Sequence, residues 1–280
     1  MANNTSVATT ETKQAPTLQS LMGSGAVTKK LNDVLGSEKK ASAFISSVIS
    51  VANGNNLLRK ADPMTVLGSA MVAATLDLPV VPTLGMAYIV PYKGQAQFQL
   101  GYKGLIELAE RSGQFKNIID EAVYEGQLVK KNKFTGVYEF DEDAKKSDVV
   151  IGYMARMDLI NGFSKTIFWT KEEVEAHARK FSQAFRSGYA SPWKSDFDAM
   201  ARKTVLKALF SKYAPKSIAI QQAIKFDQAV VNGSSVIDGG DMNIDAFEVE
   251  YIDNEPVIQE ATAEEVNPGE EFFDNPSQKG

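Results

Sequence analysis

Two groups of carboxylates in this chain are spaced closely enough to invite metal chemistry: Asp120, Glu121 and Glu125, and the contiguous Asp141, Glu142 and Asp143. Carboxylates that converge on a divalent ion can drive phosphodiester cleavage, so a metal-dependent DNA nuclease is one reading. Their spacing argues against it. On a strand Glu121 and Glu125 share a face and Asp120 points to the other. The second group sits beside Lys145 and Lys146 and reads as a solvated loop. The one histidine, His177, has no serine or aspartate pattern converging on it, so general-base chemistry of the triad type is not indicated. The absence of cysteine removes disulfides, thiolate metal sites and thiol nucleophiles. No phosphate-cradling G-x-x-x-x-G-K-[ST] motif occurs, and Gly23-Ser24-Gly25 follows no strand.

Two other stretches carry a different chemistry. Tyr92 to Gly104 combines Lys93 and Lys103 with Gln95, Gln97, Gln99 and three aromatics, and contains no acid. Amides and lysines without carboxylates suit a phosphate backbone, because nothing in the set repels it. On a strand the three glutamines share one face and Phe98 and Leu100 the other, giving an uncharged hydrogen-bonding side over an apolar one. The second stretch is Trp193-Lys194 followed by Arg202, Lys203, Lys207 and Lys212, with Lys203 and Lys207 one helical turn apart. From Lys171 to Lys216 there are ten basic and five acidic residues.

The elements that must position these groups follow from periodicity and punctuation. Helices are expected over Thr28–Leu35, Glu38–Ala52, Met64–Leu76 (opened by Asp62-Pro63), Tyr102–Arg111, Lys171–Phe185, Asp196–Tyr213 and Ser217–Val230. Strands are expected over Met86–Pro91, Gln95–Leu100, Lys116–Glu125, Val137–Phe140, Val149–Ile160 and Phe163–Thr170. The hairpin signals at Tyr92-Lys93-Gly94 and Asn161-Gly162 imply antiparallel pairing. The fold class is therefore α+β: a small antiparallel sheet, hairpin plus meander, packed with helices.

Charge divides the chain. Lys29 to Lys225 holds 28 basic against 20 acidic residues, whereas Asp227 to Gly280 holds 14 acidic residues and only Lys279. Residues 1–28 read as a disordered arm, 29–226 as the core that binds and oligomerises, and 227–280 as an acidic, largely disordered tail. No apolar run is long enough to span a membrane and no secretory signal is visible, so a cytoplasmic location is expected.

Several ordered blocks resemble one family. Gln99-Leu100-Gly101-Tyr102-Lys103-Gly104-Leu105-Ile106-Glu107-Leu108-Ala109, with Arg111-Ser112-Gly113 and Val123-Tyr124-Glu125-Gly126, resembles the RecT family of phage single-strand annealing recombinases. Asp62-Pro63, Ser69–Leu78 and Tyr88–Tyr92 are similar to the preceding block. Ser191–Lys194, Asp198-Ala199-Met200 and Lys203-Thr204-Val205 are similar to the closing one. The resemblance runs from Lys29 to Ile224 and implies ATP-independent binding of single-stranded DNA and annealing of complementary strands, passing through a duplex intermediate. It further implies rings or helical filaments of identical subunits in a bacterial host cell, and a phage exonuclease as partner. No cofactor is required on this reading, and magnesium aids the reaction without hydrolysis.

Annealing needs no covalent catalysis, so no catalytic residues are expected. One strand must be held by its phosphates with base edges left free. The expected contacts are Lys93, Gln97, Gln99 and Lys103 on one wall and Lys194, Arg202, Lys203 and Lys207 on the other, with Arg111 next. Tyr102 and Trp193 are candidates for stacking on bases, against the alternative of packing in the core. Gly101 and Gly104 permit close backbone approach. The acidic tail, with Phe247, Tyr251, Ile252, Phe272 and Phe273, is a candidate to compete with DNA, to dock the exonuclease or a host single-strand-binding protein, or simply to solubilise.

Overall fold

A computed structural model describes residues 16–182, 185–186, 192–234 and 249–250 of the chain. Helices α1 (Leu18–Met22), α2 (Gly25–Leu35) and α3 (Glu38–Gly54) pack on α4 (Pro63–Thr75). The Asp62 carboxylate caps α4 by accepting from the Met64 amide at 2.9 Å, and Pro63 fills the first helical position. Thr65 to Ala74 are buried without a break. Gly68, Ser69, Ala70, Ala73 and Ala74 are small enough for neighbours to close in on every side. A Cβ at Gly68 would lie 2.0 Å from the Val231 carbonyl oxygen, so strand and helix backbones nearly touch there.

Strands β1 (Ala87–Tyr92) and β2 (Gln95–Leu100) form the expected hairpin, turning at Lys93 and Gly94 with φ of +42° and +79°. Helix α5 (Tyr102–Arg111) leads to β3 (Phe115–Tyr124). Strand β3 pairs antiparallel with β6 (Val150–Leu159), which pairs with β7 (Ser164–Thr170), giving the order β3-β6-β7. Between β3 and β6, strands β4 (Leu128–Asn132) and β5 (Val137–Phe140) form a two-stranded ribbon. The ribbon lies on one face of that sheet, with the Tyr138 and Phe140 rings 6.4 and 6.1 Å from the Phe168 ring.

Helix α6 (Lys171–Phe181) opens with a reciprocal cap in which Thr170 and Glu173 each accept from the other's amide. Short α7 (Pro192–Ser195) and long α8 (Phe197–Tyr213) follow. Val205, Leu206, Leu209 and Phe210 of α8 are buried, and the Phe210 ring stacks on Phe115 at 5.0 Å. Helix α9 (Ile218–Phe226) precedes β8 (Ala229–Val231), which joins the hairpin to give the order β1-β2-β8-β9, where β9 is Val249–Glu250. The fold is α+β with small antiparallel sheets and packed helices, as expected.

Four details differ from the sequence reading. Leu21 and Met22 are buried in α1, inside the stretch read as an arm; its first fifteen residues lie outside the described ones. Strand β4 was not anticipated, because Leu128–Asn132 is two adjacent apolar residues followed by three polar ones, with no alternation. The helix expected to run through Val230 stops at Phe226, where Asp227 turns extended and Gln228 adopts φ of +68°. The fold consequently continues past Asp227, the residue read as the start of the tail; residues 235–248 and 251–280 lie outside the described ones.

Candidate nucleic-acid interface

The stretches singled out above meet where β2 ends and α5 begins. Gly101 links them, and a Cβ there would lie 2.0 Å from the Gly85 carbonyl oxygen. Gly104, one turn into α5, is 2.1 Å by the same measure from the Met86 carbonyl oxygen. The close approach expected of these glycines is made to the chain's own backbone. It seats α5 against the segment leading into β1 and fixes where Tyr102 and Lys103 project.

Tyr102 Oη donates to Asp120 Oδ1 at 2.5 Å, and Arg202 Nε donates to Asp120 Oδ2 at 2.9 Å. Arg202 Nη2 also donates to the Asp120 carbonyl oxygen at 2.7 Å and stands 3.6 Å from a Glu121 carboxylate oxygen. Asp120 is buried. Burial, then the hydrogen bond to and charge of Asp120, push the Tyr102 hydroxyl up to about 12. Burial works against the Arg202 charge, but Asp120 and Glu121 outweigh it and hold the guanidinium above its usual range. One carboxylate thus ties α5, β3 and α8 together.

On the next residue of α8, Lys203 Nζ donates to the Leu100 carbonyl oxygen at 2.7 Å. Lys207 Nζ donates to Asp227 Oδ2, while Asp227 Oδ1 accepts from the Leu100 amide at 2.9 Å. Burial lowers the Lys203 ammonium, Asp227 opposes that, and Lys207 adds to it. Three of the four basic residues expected to line one wall, Arg202, Lys203 and Lys207, therefore face the protein's own acceptors on β3, at the end of β2 and at Asp227.

The other expected contacts are distributed. Lys93 is exposed at the hairpin turn, its ammonium 5.7 Å from the Tyr92 ring centroid. Lys103 is exposed beside Gly85. Gln99 is half-buried opposite Tyr88, but Gln97 is buried opposite Val230, because β8 pairs with β2. The glutamine face is thus not the open hydrogen-bonding surface expected at Gln97. Arg111 Nη2 donates to the Leu76 carbonyl oxygen at 2.9 Å, with Glu107 at 3.3 Å. Trp193 is buried among the Phe185 and Phe197 rings, at 5.6 and 5.5 Å, so its role is core packing; Lys194 beside it is exposed. Asp120 is committed to Arg202 and Tyr102, and the Asp141–Asp143 run lies in a loop. Among the described residues no three carboxylates or histidines are grouped to hold a metal.

The family model described as RecT family matches residues 42–239, a span that contains Tyr102, Asp120, Arg202, Lys203, Lys207 and Asp227. The chain belongs to the RecT family. Members of this family bind and anneal single-stranded DNA in recombination. Two relatives show how far the similarity extends. "Uncharacterized protein YqaK" of Bacillus subtilis (strain 168) is 46% identical over 260 residues, covering 91% of this chain and 87% of its own. "Protein RecT" of Escherichia coli (strain K12) is 29% identical over 211 residues, covering 70% of this chain and 74% of its own.

In this RecT-family chain, sequence reasoning missed several residues of the corner. Asp120 was weighed only as a metal ligand and Asp227 only as tail; each is the acceptor for basic residues of α8. Both pairings span long sequence separations, and nothing local announces them. Lys116 and Asn117 were also missed. They line, with Lys103, an open cleft of about 520 Å³ between α5 and the start of β3. No helix among the described residues is long and apolar enough to cross a membrane.

Proposed function

We propose that this chain holds single-stranded DNA by its phosphates and anneals complementary strands without ATP, as a homo-oligomer and without covalent catalysis. The observation that carries this reading is the RecT-family match over residues 42–239, which spans the whole corner built on Asp120. Lys93 and Lys103, with Gln99 and Lys194, are the contacts we assign to the strand, since all but the half-buried Gln99 are exposed. Arg202, Lys203 and Lys207 then act by holding α8 against β2 and β3, so that the exposed lysines have a fixed spacing. Contacts of this kind read no sequence, which annealing of arbitrary complements requires.

Magnesium finds no three-carboxylate seat among the described residues. In this reading it screens the phosphates of two approaching strands rather than binding the protein. A cytoplasmic location and supply of single strands by an exonuclease complete the proposal. The test is incubation of end-labelled complementary strands with the protein and magnesium, without ATP. Duplex of intact length is the expected product. Shortened strands would overturn the reading in favour of a nuclease, and absence of duplex above the spontaneous rate would overturn it outright.

A further inference from the structure

The β4–β5 ribbon ends in a turn that holds an aromatic side chain out into solvent. Asn132 Oδ1 accepts from the Phe134 and Thr135 amides at 3.1 and 3.2 Å, and the Gly136 amide donates to the Asn132 carbonyl oxygen at 2.9 Å. Gly136 completes the turn with φ of +71°. This network leaves Phe134 90% exposed at the tip. Lys133 stands 5.5 Å from its ring centroid, while the ammonium of Lys131, two residues earlier, lies over the Phe168 ring at 5.0 Å. The tip lies at the β7 edge of the three-stranded sheet, since a Cβ on Gly136 would sit 2.7 Å from Lys165 Nζ. A phenyl ring so exposed on a hydrogen-bonded turn, with the Lys133 ammonium beside it, is a pre-formed knob: docking it costs little further ordering.

The opposite edge of the same sheet, β3, carries the complementary shape. The cleft between α5 and β3 has a floor of Met86, Ile106, Phe115 and Ile118, all half-buried. Glu107 and Glu110 of α5 stand on its rim together with Lys103 and Lys116, Glu110 exposed and Glu107 shared with Arg111. Its volume of about 520 Å³ is ample for a phenyl ring.

We propose that the Phe134 tip of one copy of this chain inserts into the α5–β3 cleft of the next, with Lys133 meeting Glu110. Knob and cleft lie on different edges, so the contact is head-to-tail and leaves one free knob and one free cleft after every addition. Such a contact closes into rings or continues as a filament. This rests on the homo-oligomer of the proposed function and names the surfaces that build it. It places the neighbour's Lys133 beside Lys103, so the exposed lysines of consecutive subunits become one continuous cationic track.

The absence of native cysteine makes the contact directly testable. In the double variant Lys133→Cys/Glu110→Cys, mild oxidation is expected to give a ladder of disulfide-linked dimers, trimers and higher species on a non-reducing denaturing gel. Each single variant should give nothing beyond a dimer. Adding Phe134→Ala to the double variant should cut the ladder by about tenfold, the effect of losing an anchoring aromatic. No ladder in the double variant, or a ladder untouched by Phe134→Ala, overturns the proposal. A Phe134→Ala chain that keeps the ladder but binds single-stranded DNA more weakly would show the tip to be a strand contact instead, and would likewise overturn it. The ladder is read without DNA, so a failure of wild-type annealing bears on the proposed function and leaves this result interpretable.

Discussion

Arg202 and Asp120 lie 82 residues apart in sequence and form a 2.9 Å charge-assisted hydrogen bond that closes the corner between α8 and β3. Asp120 is 5% exposed and the Arg202 side chain 38%. A carboxylate that deep is tolerable only because Arg202 and Tyr102 both donate to it. Asp120→Ala leaves the guanidinium and the phenol facing a void. We expect a loss of about 3 kcal/mol in urea unfolding, at the low end for a broken buried pair because Arg202 can still reach water. The double variant Asp120→Ala/Arg202→Met should recover part of that loss. A single-variant loss under about 0.5 kcal/mol would show that the pair is ornamental.

Lys103 and Lys203, both assigned to the DNA strand on sequence grounds, should behave differently. Lys103 is exposed, and Lys203 donates to the Leu100 carbonyl oxygen at 2.7 Å. Lys103→Ala should weaken single-strand binding by similar factors on unrelated oligonucleotides and flatten the log–log salt dependence by about 0.7. Lys203→Ala should lower the unfolding midpoint and leave that slope unchanged. Fluorescence anisotropy across a salt series, with a melt of each variant, decides between them. A flattened slope in a fully stable Lys203→Ala chain would return Lys203 to the strand.

The contrast between these lysines shows what kind of information the sequence carries. Helix α5, strand β2 and the Lys93-Gly94 turn were legible because local chemistry dictates them: a C′ glycine at Gly113, alternation in Gln95–Leu100, a positive-φ turn. The family was legible from contiguous blocks. The orientation of α8 was not. Its basic residues alternate with apolar ones around the whole helix, so no stripe tells which side faces water, and only the distant Asp120 and Asp227 decide it. The burial of Gln97 was hidden for the same reason, since the β8 strand that covers its edge lies some 130 residues further on.

Gly104 offers a sharper check on the corner itself. Its α carbon faces the Met86 carbonyl oxygen so closely that an added Cβ would stand 2.1 Å away, and that neighbour is backbone, which cannot rotate aside. Gly104→Ala should therefore push α5 off the segment before β1 and cost about 2–3 kcal/mol, although alanine favours helices. Gly113→Ala, with φ of +64° but nothing within 4 Å, should cost about 1 kcal/mol. Chemical unfolding of the pair should rank them in that order, and a Gly104→Ala chain as stable as wild type would mean that the helix end can shift freely.

His177 makes the pH dependence of stability readable from a single resonance. It is half-buried on α6, with the Trp169 and Phe181 rings 5.3 and 4.5 Å away. Burial, then the charges of Lys207 and Lys180, hold its imidazolium below the ordinary 6.5. The sign follows from which state takes the proton first. As pH falls below 6.5 the unfolded chain protonates His177 while the folded chain keeps it neutral, so the unfolded state binds more protons and stability declines with falling pH. The decline stops once pH passes below the folded-state value. We expect the one imidazole Cε1–H signal in the proton spectrum to titrate with a midpoint below 6.5. We further expect His177→Phe, which keeps the ring contacts, to lessen the loss of stability as pH falls below 6.5. A midpoint at or above 6.5 would mean that water reaches the imidazole past Trp169 and Phe181, and the variant should then leave the acid limb unchanged.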